Sequence, residues 1–198
     1  MPSSRRLYSR RLFLRRLRKS DGDKLVGLIN SNRRYLSFWL PPFPEKISRS
    51  LAQEWIADEH KLLRQGQRID LGLFSQQNGS LIGRLALHSI SWGVQRSAGI
   101  SYWISETEAG QGKMTEAVAT VLSFAFEECR LHRIYAEVAP ENKPSLAICS
   151  RLGFRNEGSS LKKLFINGCW QNIYNFAMLE EEYDRMAESW IKQRLLGV

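Results

Sequence analysis

The sequence has 198 residues, of which 43% are apolar and 25% charged, a composition typical of a soluble globular protein with one substantial core. No apolar run approaches the ~20 residues that span a bilayer, and arginines interrupt the apolar pairs near the N-terminus, so we expect neither a membrane helix nor a signal peptide. The cysteines are odd in number and lack CxxC spacing, which argues against a disulfide framework or a zinc site and favours a cytoplasmic location: Cys129, Cys149 and Cys169.

The net charge of +9 comes largely from the N-terminus. Residues 1–19 contain eight basic residues and no acidic one, which leaves 21 of the 29 basic residues against 20 acidic ones. A basic arm over residues 1–11 could make a weak contact with RNA or the ribosome, or could simply be a solvated lead into the first strand. The strand predicted over residues 12–17, with apolar Leu12 and Leu14, favours the second interpretation.

Two helices are predicted next. The first begins after an N-cap within Ser20-Asp21 and leads to an aromatic patch at residues 35–40, which the Pro41-Pro42 pair ends. The second begins after an N-cap at Ser48 or Ser50.

From residue 69 the apolar pattern changes from helical spacing to that of strands. Three strands of an antiparallel meander are predicted over residues 69–74, 81–88 and 98–104, and an Asn-Gly turn joins the first two. A glycine turn in the segment GQGKMTEA (110–117) then leads into a helix over 113–129.

The remainder of the chain alternates strands and helices. A strand over 134–138 is followed by a loop and a short helix over 145–152. Three more strands and a C-terminal amphipathic helix follow, at 154–157, 161–166, 172–178 and about 180–196. We therefore predict an α+β fold, with a mixed, mostly antiparallel sheet flanked by helices, in a single domain over residues 1–198 whose core covers about 10–180.

The GQGKMTEA segment could bind a phosphate group. It is not a P-loop, because Met114 follows Lys113 where Ser or Thr is required, and it is not a Rossmann fingerprint, because Thr115 takes the place of the third glycine. It could be an anion site, where Gly110 and Gly112 let the backbone approach a diphosphate and the first helical amides point at it. The two glycines alone equally allow a plain turn between strand and helix.

Three sequence blocks together resemble the GNAT (Gcn5-related) N-acetyltransferase superfamily. They are the ISYWIS strand with the glycine turn and TEA after it, the Asn142 and Ser145 pair, and Gly153-Phe154. The same blocks with Trp39-Leu40-Pro41 look like the RimJ/RimL-type ribosomal-protein N-terminal acetyltransferases. The resemblance covers about residues 10–180 and implies the GNAT fold, in which a splayed pair of parallel strands holds acetyl-CoA.

The resemblance assigns roles to residues around the turn. Backbone amides near Trp103 and Ile104 would bind the acetyl carbonyl, and Asn142 would bind the pantetheine arm or its strand. Ser145 would protonate the leaving thiolate, while its alternative role is the N-cap of the helix over 145–152. The whole implied coenzyme site is Trp103, Ile104, Gly110, Gln111, Gly112, Lys113, Met114, Thr115, Asn142 and Ser145.

The general base is not evident from the sequence. Relatives of this type carry a glutamate at positions that here are Leu164 and Gly99. Glu137 and His88 are substitutes by strand position, although both could be ordinary surface residues of strands, and a water relay could replace them.

The acceptor is the remaining question. The resemblance places Tyr35, Phe38 and Trp39 in an acceptor groove, although these aromatic residues could instead form a core between helices. An α-amine has a pKa of about 7.7–8.0 and a lysine about 10.4, so an N-terminal acceptor needs only a weak base.

We therefore predict an acetyl-CoA-dependent N-acetyltransferase without a metal, a monomer or homodimer, that acts on the N-terminal α-amine of a protein, in particular a ribosomal protein. One alternative is an acetyltransferase of a small amine such as an aminoglycoside, a polyamine or a peptide antibiotic. The other is a catalytically weak GNAT-fold module that binds RNA or the ribosome.

Overall fold

A computed structural model describes residues 6–40, 43–166, 168–193 and 195. Parts of three sequence predictions lie outside these residues: the basic arm at 1–5, the Pro41-Pro42 stop, and the end of the C-terminal helix at 194 and 196. Among the described helices, none combines the length and the apolar character needed to cross a bilayer.

The described chain opens with two short strands and two helices: β1 (Leu7–Tyr8), β2 (Leu12–Arg15), α1 (Gly22–Leu36) and α2 (Arg49–Arg64). A three-stranded meander then leads into the third helix: β3 (Ile69–Ser75), β4 (Leu81–Ser91), β5 (Ser97–Ile104) and α3 (Lys113–Ser123). The remaining elements are β6 (Arg133–Val138), α4 (Lys143–Leu152), β7 (Arg155–Ile166), β8 (Cys169–Leu179) and α5 (Glu180–Lys192). The Ser48 hydroxyl caps α2 as predicted, because it accepts a hydrogen bond from the N–H of Leu51 at 3.1 Å.

The strands form one sheet in the order β1-β2-β3-β4-β5-β6-β8-β7. All neighbouring strands are antiparallel except β5 and β6, which are parallel. The predicted α+β fold with a mixed, mostly antiparallel sheet is confirmed. The parallel pairing runs only from Ser97 to Gly99, which pairs with Tyr135, although β5 continues to Ile104 and β6 to Val138. Beyond Gly99 the two strands no longer pair, and a gap opens between them.

Apolar residues pack on both faces of the sheet. One core cluster includes Leu73 of β3, Leu122 of α3 and Trp190 of α5, and a second includes Phe74 of β3 and Ile56 of α2. Leu73 and Phe74 are consecutive yet belong to different clusters, because successive side chains of a strand point to opposite faces. Fully burying each such side chain contributes about 1.5–3 kcal/mol. The helices therefore cover the sheet from both sides and hold its central strands in place.

Some elements differ from the prediction, and β1 (Leu7–Tyr8) was not predicted at all. The α-helix predicted over 113–129 ends at Ser123, and Phe124–Glu128 form a π-helical turn closed by a bond from the Cys129 N–H to the Phe124 carbonyl at 3.0 Å. The strands predicted at 154–157 and 161–166 are parts of the single strand β7. Residues 158–160 lie between the two predicted strands, and the irregularities of β7 around them shift its register against β8 without ending the strand.

Candidate active site

The turn before α3 has no side chain at the residue that caps the helix. This residue is Gly112, with φ of 75°, and Gly110 has φ of 73°. Glycine adopts this left-handed conformation without the steric cost that other residues meet, so the backbone itself requires glycine here. Because no side chain caps α3, its first N–H groups remain available to bind an anion.

The side chains of Lys113 and Arg151 bring positive charge to the cavity side of this end of α3. Lys113 forms an ion pair with Glu108 in the preceding turn, so its charge is already balanced. Arg151 of α4 points its guanidinium towards the hydroxyl of Thr115, at 3.5 Å. Together with the positive end of the helix dipole, Arg151 makes this helix end attractive to a phosphate group.

A cavity of about 250 Å³ connects this turn with the end of α1, with β5 and with the start of α4. Its volume is near the lower end of the ~300–1,000 Å³ typical of small-molecule sites. Most residues selected from the sequence line it, namely Tyr35, Trp39, Trp103, Ile104, Gly110, Gly112, Lys113, Met114, Thr115, Asn142 and Ser145. The fold thus brings together three segments that are far apart in the chain.

Four residues selected from the sequence lie outside the cavity lining. Gln111 turns its side-chain amide back onto the preceding turn, and Phe38 is 64% exposed. The carboxylate of Glu137 on β6 forms an ion pair with Lys163 at 2.6 Å. His88 lies on β4, at the start of the gap between β5 and β6.

The backbone of β5 presents amide groups to this gap. The N–H of Ser105 donates to the carbonyl of Ile82, on the β4 side, at 2.8 Å. Since amide directions alternate along a strand, the N–H of Trp103 also points to β4, whereas those of Tyr102 and Ile104 point towards β6. Of the two amides predicted to bind an acetyl carbonyl, the geometry therefore favours Ile104.

Asn142 and Ser145 lie at the start of α4. Asn142 is the N-cap, because its side-chain oxygen accepts from the N–H of Ser145 at 3.2 Å. Ser145 is therefore not the capping residue, which removes the alternative role considered from the sequence. Its half-buried side chain lines the cavity and its hydroxyl can take part in proton transfer.

Tyr102 is a cavity residue that sequence reasoning missed. Its hydroxyl is buried beside Ser145 and Cys149, and it makes no hydrogen bond of standard geometry with any described residue. Burial raises the pKa of Tyr102, and Cys149 adds to this effect, so the phenol stays protonated and is a hydrogen-bond donor at neutral pH. The only signal in the sequence was its strand spacing, two residues before Ile104 on the same face.

His88 occupies the space above Gly99. A β-carbon built on Gly99 would lie 2.4 Å from Cε1 of the imidazole, which also packs edge-on against Tyr135 with ring centroids 6.3 Å apart. Burial lowers the pKa of His88, and Arg68 lowers it further, although Glu137 and Asp70 oppose them. A neutral imidazole near pH 7 can accept a proton.

Comparison with known proteins decides the family. The acetyltransferase (GNAT) domain profile matches residues 11–155, most of the chain. The chain belongs to the GNAT acetyltransferase family. This confirms the resemblance seen in the sequence and the prediction of an acyltransferase, specifically an N-acetyltransferase.

Individual GNAT relatives differ in their acceptors. The chain is 30% identical to ribosomal protein uS5-alanine N-acetyltransferase of Escherichia coli (strain K12), over 84% of this chain and 87% of that protein. It is 28% identical to spermidine N(1)-acetyltransferase of Vibrio cholerae, over 89% of this chain and 98% of that protein. The solved structure of Mycobacterium smegmatis RimJ in complex with CoA-disulfide matches with a TM-score of 0.82 and 26% identity, over 90% of this chain and 88% of that chain.

Proposed function

We propose that this GNAT enzyme transfers the acetyl group of acetyl-CoA to the N-terminal α-amine of a protein, with ribosomal proteins as the substrate class. The charges that line the cavity are the main argument for a protein N-terminus as the acceptor. Among the described lining residues Glu108 is the only carboxylate, and Lys113 neutralises it. A polyamine or an aminoglycoside carries several positive charges that would need unpaired carboxylates, whereas a peptide N-terminus brings a single amine. The uS5-alanine acetyltransferase relative supports the ribosomal class.

Two features of the site fit acetyl-CoA as the donor. The uncapped end of α3, with Arg151 beside it, suits a diphosphate. The gap between β5 and β6, with the Ile104 N–H directed into it, suits a narrow acyl-pantetheine arm. When bound, acetyl-CoA would supply the activated acetyl thioester.

Residues of the chain would then move two protons and stabilise one charge. The α-amine would attack in its neutral form, and His88 would accept the proton that its nitrogen loses as the bond to the acetyl carbon forms, because the pKa of His88 is lowered and its imidazole lies where the gap begins. The N–H of Ile104 would stabilise negative charge on a carbonyl oxygen. Ser145 would donate its hydroxyl proton to the departing sulfur.

Glu137 is the weaker candidate for the base. Its carboxylate is held by the Lys163 ammonium, which would also repel a positively charged acceptor. The charge of Arg68 lowers the pKa of His88, but the hydrogen-bond partner of the His88 ring is the neutral hydroxyl of Ser89 at 3.3 Å, and not an ammonium group.

A transfer assay tests the acceptor class. The enzyme is incubated with labelled acetyl-CoA and either total ribosomal proteins or spermidine, and mass spectrometry locates the acetyl group. We expect label on the α-amine of a ribosomal protein and none on the same N-terminal peptide after its α-amine is blocked. Label on spermidine alone would establish the small-amine alternative and contradict the proposal.

A binding measurement tests the donor separately. Acetyl-CoA at a hundred times its Kd should raise the free energy of unfolding by about 2.7 kcal/mol, and this shift should be seen without any acceptor. Unchanged thermal unfolding at saturating acetyl-CoA would contradict the donor assignment.

A further inference from the structure

The first turn of α3 contains a buried carboxylate with no part in the proposed reaction. Glu116 is 1% exposed and accepts hydrogen bonds from the N-terminal segment. Its Oε1 accepts from the Ser9 hydroxyl at 2.6 Å and from the Arg11 N–H at 2.7 Å, and its Oε2 accepts from Nε of Arg11 at 2.7 Å. A buried carboxylate requires such pairing, so Glu116 fixes Arg11 against the beginning of α3.

Arg11 reaches the glycine turn with the other side of its guanidinium. Nη1 donates to the carbonyl of Gln111 at 3.0 Å, and Nη2 lies 3.6 Å from the place that a β-carbon would take on Gly112. The Gln111 carbonyl and the Gly112 N–H belong to one trans peptide unit, so they point in opposite directions. Arg11 does not line the cavity, and its bond to the Gln111 carbonyl leaves the Gly112 N–H on the opposite side of the peptide unit, away from Arg11.

We propose that Arg11 is a positioning residue for the diphosphate of acetyl-CoA. Arg11 fixes the glycine turn in a conformation in which the backbone amides of the turn point at the phosphate oxygens. Arg11 does not contact the phosphates itself. A turn with two glycines has many accessible conformations, and ordering it before the ligand arrives removes that entropic cost from binding. The inference rests on the proposed donor, because the diphosphate belongs to it.

Arginine is suited to this role in a way that lysine is not. The planar guanidinium directs separate N–H groups at the Glu116 carboxylate and at the Gln111 carbonyl in fixed directions. Part of the basic N-terminal segment is thus bound within the fold. Arg10, the residue before Arg11, is exposed and forms no ion pair with Glu116 or hydrogen bond to the turn among the described residues. It is therefore a matched control.

The test compares a donor that has phosphates with one that lacks them. The variants are Arg11→Gln and the charge-matched control Arg10→Gln. Calorimetry measures the Kd of CoA, and kinetics measure kcat/KM with acetyl-CoA and with S-acetylpantetheine, which has no diphosphate. For Arg11→Gln we expect about tenfold weaker CoA binding and about tenfold lower kcat/KM with acetyl-CoA, the size of one lost charge-assisted hydrogen bond. Activity with S-acetylpantetheine should stay within about twofold, and Arg10→Gln should match the wild type.

Every other outcome contradicts the inference. Equal losses with both donors would mean that Arg11 only supports the fold, and equal effects of Arg10→Gln would mean that only net charge matters. If Arg11→Gln does not fold, the pair Arg11→Gln with Glu116→Gln removes the uncompensated carboxylate and should show the same difference between donors. A wild-type enzyme that binds CoA, with an Arg11 variant that binds it equally well, overturns the role of Arg11 alone. A wild-type enzyme that binds no CoA overturns the donor assignment as well.

Discussion

The imidazole of His88 fills the space that a side chain at Gly99 would otherwise take. The two residues are paired across β4 and β5, and a β-carbon on Gly99 would come within 2.4 Å of the ring. This position of the strand is one of the two at which the family resemblance predicts a glutamate, and the sequence has glycine there. The pairing therefore places the imidazole of His88, which we propose as the base, above a position without a carboxylate, at the point where β5 and β6 separate.

His88→Ala should lower kcat/KM by about a hundredfold, the lower end of what a positioned general base contributes. Steady-state kinetics with an N-terminal peptide acceptor would measure this. His132→Ala is the control, because His132 lies just before β6 with its side chain 45% exposed and should leave kcat/KM unchanged. A His88 variant with wild-type kcat/KM would assign the proton transfer to water.

The pH dependence of kcat/KM should report the same residue. Because the pKa of His88 lies below its ordinary value of 6.5, the imidazole is neutral and active above that lowered pKa and loses activity as the pH falls through it. The α-amine of the acceptor, with a pKa of about 7.7–8.0, adds a second rise at higher pH. Profiles between pH 5 and 9 should show both limbs for the wild type and only the upper limb for His88→Ala. A lower limb that persists in the variant would contradict the assignment.

Gly99→Ala should be as harmful as His88→Ala, although it removes no functional group. The new methyl group would force the imidazole out of its position, since the two cannot lie 2.4 Å apart. The double variant gives the control: once His88 is alanine, adding Gly99→Ala should change kcat/KM by less than about twofold, because the two changes act through one contact. Independent, additive losses would show that Gly99 matters for another reason.

Much of the fold was predictable because its signals are local. The Ser48 cap, the alternating strands of the meander and the glycine turn are each readable in a few consecutive residues. The π-helical turn after Ser123 was not predictable, since it coincides with Phe126 stacking on Tyr183 of α5, with ring centroids 5.1 Å apart. Strand β1 was missed because two residues carry no periodicity, and its pairing of Leu7 with Leu14 shows only in the folded chain.

The candidate site was also predictable only where its signals are local in the sequence. Gly110, Gly112 and the Asn142 and Ser145 pair stood out because the spacing of these residues is itself the signal. The contact between Arg11 and Glu116 joins residues 105 positions apart, so no sequence window contains it. The position of His88 over Gly99 depends on the register between β4 and β5. A shift of one residue would move the His88 side chain to the other face of the sheet.

Ser145→Ala should lower kcat by about a hundredfold between pH 6 and 9, the lower end of what a positioned general acid contributes. The free energy of unfolding should not change, because the cap of α4 uses the Ser145 backbone N–H and not its hydroxyl. Asn142→Ala gives the contrast, since loss of the capping oxygen should cost about 1 kcal/mol of stability. An unchanged rate for Ser145→Ala over this pH range would rule out the acid role and direct attention to the buried Tyr102 hydroxyl.

Asp21→Asn should lower the free energy of unfolding by about 3 kcal/mol at pH 7, because it breaks a buried ion pair. Its carboxylate accepts two hydrogen bonds from Arg15, at 2.7 and 2.9 Å, and the two side chains are only 13% and 5% exposed. Burial raises the pKa of Asp21, but the hydrogen bonds from Arg15 and from the Arg18 N–H outweigh it, so the pKa is lowered overall. The stabilisation is therefore complete above the unfolded pKa of about 3.9 and disappears as the pH falls through the lower folded value.

Urea unfolding at several pH values would measure this difference between wild type and Asp21→Asn. The matched control is Asp23→Asn, two residues on, whose ion pair with Arg49 at 3.2 Å joins side chains that are 65% and 61% exposed. Screening by water limits such a pair to about 0–1 kcal/mol, so Asp23→Asn should be nearly neutral. The prediction would be wrong if the two substitutions lowered the free energy of unfolding equally. It would also be wrong if the loss caused by Asp21→Asn were as large at pH 2 as at pH 7, because the ion pair with Arg15 would then not be its cause.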